Sequence, residues 1–236
     1  MRYLNSAFFA LFFLVTLNNQ AFAGAITGVP SAAATRYDVT VTKVELCRST
    51  ACTNPFTLGS KTKVFDIAAA AVGSDVGTYI SLKDIPLWQT WTHVRVTLST
   101  AFTIKGEGTA APGCMTDGST SAGRGAWAQP AATVAGTSTA SVLHLPNQAL
   151  ITALPGMGAF TYSTYGITQV DNATSFTMTV AMTTPYTCKG VMPRIEVKFN
   201  TSEGFGYIDA NASGTCNAGD AMFPHPPTIT ITASDP

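Results

Sequence analysis

Apolar residues recur at every second position along most of this chain, and that alternation confines it to β structure. Val94, Val96 and Leu98 take one face while His93, Arg95 and Thr97 take the other. Phe176, Met178, Val180 and Met182 alternate with Thr177, Thr179 and Ala181, and Ile195, Val197 and Phe199 alternate with Glu196, Lys198 and Asn200. Strand side chains point to opposite faces in turn, so each run predicts a strand with one buried face. Shorter runs of the same kind lie at 37–46, 64–67, 79–82, 102–105, 142–145, 160–165 and 228–232. In the first of these, Tyr37, Val39 and Val41 fall out of phase with Val44 and Leu46, which predicts a β-bulge near Thr42. Helical periodicity is almost absent after the first 23 residues. Many short strands with one polar face each predict an all-β, antiparallel β-sandwich, immunoglobulin-like or prealbumin-like.

The first 23 residues read differently. Arg2, the apolar run from Ala7 to Leu17 and the small-residue ending Ala21-Phe22-Ala23 form the pattern of a secretory signal peptide cleaved after Ala23. The apolar run is too short to span a bilayer, which takes ~20 residues, and no later segment approaches that length. The expected product is secreted, to the extracellular space, a periplasm or the cell surface, with no membrane span. Of 13 Lys+Arg and 13 Asp+Glu the leader removes one Arg, leaving a net charge of −1. That balance offers no basic face for nucleic acid. Only 11% of residues are charged against 46% hydrophobic, a composition that predicts a folded chain with a surface of hydroxyl groups.

The five cysteines, at 47, 52, 114, 188 and 216, would meet an oxidising compartment, so two disulfides and one leftover thiol are expected. Proximity in sequence favours Cys47 with Cys52 and Cys188 with Cys216. Residues 24–35 have the composition of a flexible arm. Residues 36–108 form a first β half, 109–130 a Gly/Ala/Ser-rich loop, and 131–236 a second β half that packs with the first as one domain.

Between Phe65 and Gly106 the runs FDI, VGxYxxLKDIP and WTHVRVTLSTAFTIKG resemble a family of secreted bacterial β-sandwich domains of unknown function. The likeness covers about a third of the mature chain. It departs from the family pattern where Trp88-Gln89-Thr90 stand in place of a turn glycine before Trp91. The resemblance implies a surface or periplasmic location and a sandwich fold, and no catalytic residues.

One loop has the spacing of a calcium site. With Asp209 as position 1, oxygen-bearing side chains fall on Asp209, Asn211, Ser213, Asn217 and Asp220, with Gly214 at 6 and Thr215 offering its carbonyl at 7. A hard cation needs six to eight converging oxygens and a glycine at the turn. Two carboxylates, with Asp in place of Glu at position 12, place any affinity in the weak ~10⁻⁴–10⁻³ M class. The extended flanks exclude an EF-hand. The alternative is an ordinary Asn/Gly/Ser turn shaped by Cys216.

His93, His144 and His225 are too scattered for a metal or catalytic motif, and neither GxSxG nor SxxK occurs in a convincing context. Trp88 and Trp91 are the candidates for a sugar-stacking surface, because Trp91 shares the parity of His93 and Arg95 and so falls on their face. The expected function is therefore non-enzymatic: a cell-envelope or extracellular structural or adhesion subunit, stabilised by calcium and able to self-associate through strand edges. A secreted carbohydrate-binding module, with a glycan as partner, is the alternative. A hydrolase with dispersed catalytic residues is the third reading.

Overall fold

The computed structural model describes residues 29–71, 85–108, 114–120, 131–132, 137–153, 160–190, 193–208 and 220–235. In chain order the strands are β1 (Ser31–Ala32), β2 (Ala34–Cys47), β3 (Phe56–Gly59), β4 (Lys63–Asp66), β5 (Thr90–Ser99), β6 (Ala101–Gly106), β7 (Cys114–Met115) and β8 (Ala131–Ala132). They continue with β9 (Ser141–His144), β10 (Ile167–Thr168), β11 (Ser175–Thr187), β12 (Arg194–Asn200), β13 (Phe205–Ile208), β14 (Ala221–Pro224) and β15 (Thr228–Ser234). Two short helices, α1 (Ile67–Ala71) and α2 (Gln148–Thr152), and a 3₁₀ turn at Tyr162–Tyr165 complete the set.

The fold is mostly β, built from open sheets that are largely antiparallel. Ten strands share one sheet, in the order β12-β15-β11-β5-β2-β6-β9, with β3 and β4 on β2 and β10 on β11. Among the described strands, only β11 and β15 pair in parallel, at Met182 and Ile231. Smaller sheets join β1-β13-β14 and β7-β8.

The hub is β2, and its phase slip explains its length. The register against β5 shifts between Val41 and Lys43, and the Thr42 hydroxyl donates to the Thr97 carbonyl at 3.2 Å. The expected bulge is there. It bends a 14-residue strand so that its first half pairs with β4 and β6 and its second with β3 and β5.

Alongside β2, β5 and β6 form one line broken at buried Thr100. Its N–H donates to the Thr174 carbonyl at 3.0 Å and its own carbonyl accepts from Leu145 N–H at 2.7 Å. The sheet forks there: β5 continues to β11 and β6 to β9.

The buried faces of these strands form a continuous core that includes Val39, Leu46, Val94, Phe102, Ile104, Leu143, Met178 and Val180. Phe205, Tyr207, Met222 and Phe223 of the three-stranded sheet belong to it. Tyr37 ties the two sheets, stacking on Phe102 with centroids 5.6 Å apart and donating its hydroxyl to the His225 carbonyl at 3.0 Å.

Three local features differ from the alternation reading. The run at 160–165 forms a 3₁₀ turn, because the Gln148 side chain accepts from Tyr162 N–H at 2.9 Å and Gly166, at φ 67°, ends the turn in the left-handed region. Ile67, placed in a strand by its parity, opens α1. Asp66 Oδ1 accepts from the N–H groups of Ala68 and Ala69, at 3.1 and 3.3 Å, and so caps that helix. Residues 31–32, inside the expected arm, pair with β13. The run at 79–82 lies outside the described residues.

Candidate functional site

Strained backbone gathers at one end of the large sheet. Four described residues other than glycine have positive φ, and Cys52 (50°), Asn54 (50°) and Trp88 (62°) are three of them. All three lie where β2 ends and β5 begins, since Cys47 pairs with His93. Left-handed backbone is costly for residues with a Cβ, most of all for a bulky one, and such strain concentrates where a ligand is held.

The expected Cys47–Cys52 disulfide closes the loop after β2, with the two Cα atoms 4.8 Å apart and Cys52 N–H donating to the Ser49 carbonyl at 3.0 Å. Beneath it lies a charged cluster. Glu45 is 2% exposed and accepts from Arg95 Nε at 2.8 Å and Lys43 Nζ at 2.6 Å, and Arg95 Nη1 reaches the Cys52 carbonyl at 3.4 Å. Burial pushes the Glu45 carboxyl up, but the hydrogen bonds and charges of Arg95 and Lys43 outweigh it and hold it below the usual range. The cluster fastens the disulfide loop to the sheet.

His93 is bound from both sides, Nε2 with the Thr50 hydroxyl at 3.1 Å and Nδ1 with the Thr92 hydroxyl at 2.8 Å. Burial lowers its pKa, so it stands as a neutral ring that positions the loop. With both nitrogens engaged it has none to offer a metal or a substrate proton.

On the solvent side, Trp88 is 73% exposed and Leu87 55%. Trp88 N–H donates to the Cys188 carbonyl at 2.8 Å, and Cys188 N–H returns a bond to the Gln89 carbonyl at 3.3 Å. This reciprocal pair holds the indole outward against the cost of its φ. Gly190 (φ 95°) faces Leu87, and the hydroxyls of Thr90 and Thr187 lie 2.8 Å apart. The end therefore presents an aromatic ring and an aliphatic side chain on a rigid, cross-braced base.

Trp91, the other expected surface aromatic, is buried at 2% and packs on Phe56 with centroids 6.0 Å apart. The parity argument fails where the β5–β11 register breaks: on β11 buried Tyr186 keeps the phase of buried Val180 and Met182, but its partner Trp91 lies three steps from buried Val94 on β5, so the phase slips there. Ala181 faces His93 but Tyr186 faces Trp91, so five steps on β11 match two on β5.

Cys188, expected to bridge Cys216, is instead a buried thiol whose sulfur donates to the Ile85 carbonyl at 3.9 Å, beneath the Trp88 turn. Of the expected calcium ligands only Asp220 lies among the described residues, buried at the start of β14; Asp209, Asn211, Ser213, Thr215, Asn217 and Cys216 lie outside them. Among the described residues no cluster of three or more His, Cys, Asp or Glu is placed to hold a metal. No helix among them is long and apolar enough to cross a membrane.

The sequence pattern missed the Lys43–Glu45–Arg95 cluster. The polar alternation of β2 and β5 pointed to it, because Glu45 and Arg95 share a face once the register pairs them. Comparison with family models, curated proteins and solved structures finds no match for this chain.

Proposed function

We propose that this is an exported, non-enzymatic contact protein, an adhesion or structural subunit of the cell envelope or extracellular space, that engages its partner through the Trp88 end of the sheet. One observation carries the reading: a tryptophan 73% exposed, in a backbone conformation unfavourable to it and fastened there by a 2.8 Å hydrogen bond. An indole left in water forgoes the burial that stabilises most tryptophans, and a rigid exposed aromatic is the commonest anchor of a binding surface. The Cys47–Cys52 disulfide fits an oxidising compartment and so supports export. Packing of the three-stranded sheet against the large one is the basis on which we read the fold as a β-sandwich.

A saccharide is the partner class this surface suits. Sugar rings present C–H faces that stack on an indole, and exposed hydroxyl and backbone groups nearby can meet their oxygens. Edge-to-edge self-association has less support. The edge strand β12 exposes Arg194, Glu196 and Lys198, and charges so placed oppose pairing with another chain.

Retention of the mature protein on insoluble polysaccharides, measured for wild type and Trp88→Ala, tests the proposal. The variant should keep its melting temperature and lose at least tenfold in binding. Trp88→Gly should lose the same binding while gaining about 1 kcal/mol of stability from relieved backbone strain. Equal retention of all three proteins would remove the Trp88 end as the contact surface.

A further inference from the structure

Resting on the contact reading of the Trp88 end, we propose that its partner is an anionic polysaccharide. Sugar rings stack on the indole, and their carboxylate or sulfate groups meet three cations on the same rim of the large sheet: Arg48, Lys189 and Arg194. All three are exposed.

The registers put these side chains on one rim. Cys47, which precedes Arg48, pairs with His93, so β2 ends where β5 begins, and Arg48 sits inside the loop closed by the Cys47–Cys52 disulfide. Thr187 of β11 pairs with Thr90, and Lys189 follows Cys188, whose carbonyl holds the Trp88 N–H at 2.8 Å. Strand β15 runs parallel to β11 and ends at the same rim, while β12 runs against it and begins there, with Arg194 beside Ser234. From β2 to β12 the rim crosses β5, β11 and β15, a width of about 19 Å at ~4.8 Å per strand. One sugar ring does not reach across that width. A polymer laid along the rim passes the indole and the cations on either side of it.

Charge is unevenly placed along the strands. Among the described residues no carboxylate pairs with Arg48, Lys189 or Arg194. Asp235 lies on that rim, but it accepts from the Tyr186 hydroxyl at 3.2 Å. Below the rim, Glu45 is taken by Lys43 and Arg95, and Glu196 lies 3.6 Å from Lys198. Other described acids stand at the far end of the sheet, where Asp38 pairs in register with Asp66, Asp171 precedes β11 and Glu203 follows β12. The Trp88 rim is thus the cationic end. Guanidinium and ammonium groups donate charge-assisted hydrogen bonds to carboxylate and sulfate oxygens, and an aromatic ring among such cations suits a sugar that carries an acid.

The test is frontal affinity chromatography of the mature protein on immobilised polygalacturonate and its methyl ester, and on dextran sulfate and dextran, since each pair changes the charge and keeps the rings. Exposed ion pairs contribute about two- to fivefold each, so the wild type should bind at least one anionic polymer about tenfold more tightly than its neutral counterpart. A preference within the first pair assigns the carboxylate, and one within the second the sulfate. Lys189→Gln combined with Arg194→Gln should bring the preference down to about twofold or less at an unchanged melting temperature. Trp88→Ala should weaken binding to charged and neutral polymers alike. Equal affinity within both pairs, no binding to either anionic polymer, or a preference that survives the double substitution overturns the anionic assignment and leaves the contact reading to the Trp88 result. Binding that Trp88→Ala leaves intact on every polymer overturns the contact reading, and the assignment with it.

Discussion

Lowering the pH from 7 to 4 should cost this protein about 3 kcal/mol of stability through one side chain, His225. The residue follows β14 and is fully buried, its ring 6.0 Å from that of Phe223 and its N–H donating to the Gly204 carbonyl at 3.1 Å. Burial holds the imidazole neutral and lowers its pKa from 6.5 to about 4, and a hydrogen bond with the Glu203 backbone offsets only part of that. In the unfolded chain the ring takes up a proton as the pH falls through about 6.5, while in the folded chain it resists until about 4. The contribution is thus fully present above the unfolded value and is lost progressively down to the folded one. A shift of about 2.5 units corresponds to about 3 kcal/mol, with a slope of about 1.2 kcal/mol per pH unit near pH 5. Urea unfolding at half-unit steps from pH 7.5 to 4.5 measures that slope. His93, also lowered by burial, adds to it in the same direction, so the comparison needs His93→Gln beside His225→Gln. The Glu45 carboxyl, held below the usual carboxylate range by Arg95 and Lys43, contributes stability that is lost as the pH falls through that range and below it. His225→Gln should flatten most of the slope whatever its absolute stability. Should that variant fail to fold, the ring proton shifts of the wild type decide: His225 must remain neutral at pH 5. An unchanged slope in His225→Gln, or a ring that titrates near 6.5, refutes the reasoning.

Arg95→Met removes one of the two cations facing buried Glu45 and should destabilise by about 2–3 kcal/mol, below the range for a fully buried pair because Arg95 is partly exposed; Glu45→Gln in the same background should recover part of the loss in a thermal melt. Gly106→Ala would drive a Cβ into the Phe205 ring and to 2.6 Å from the Ala33 carbonyl, so chemical denaturation should show a loss of at least about 1–3 kcal/mol. If 209–220 binds calcium in the weak class, 10 mM calcium should add about 1.4–2.7 kcal/mol and Asp209→Ala should abolish the gain. Equal melting of both proteins with and without calcium would leave the loop an ordinary turn.

Faces were legible in the sequence, and neighbours were not. The strands β5, β11 and β12 and the bulge at Thr42 were readable because a period of two and a slip in its phase are properties of one segment alone. Which strand lies beside which is set by registers between distant segments. The register break that pairs Tyr186 with Trp91 leaves no mark in the sequence of β5, and Trp91 packs against Phe56 on the buried side. Distance along the chain says as little about Cys188, which follows β11 and lies beneath the Trp88 turn with its sulfur on the Ile85 carbonyl. A single strand cannot show that Lys43 and Arg95 will enclose Glu45. These unreadable registers converge at one end of the large sheet, where β2, β5 and β11 bring together the disulfide loop, the charged cluster and the Trp88 turn. Trp88 could stay in a left-handed conformation only if segments on both sides held it, and Cys188 supplies that restraint from 100 residues away. A long-range bond that keeps a strained indole in water adds nothing to the core, and it is the observation on which the proposed contact role rests.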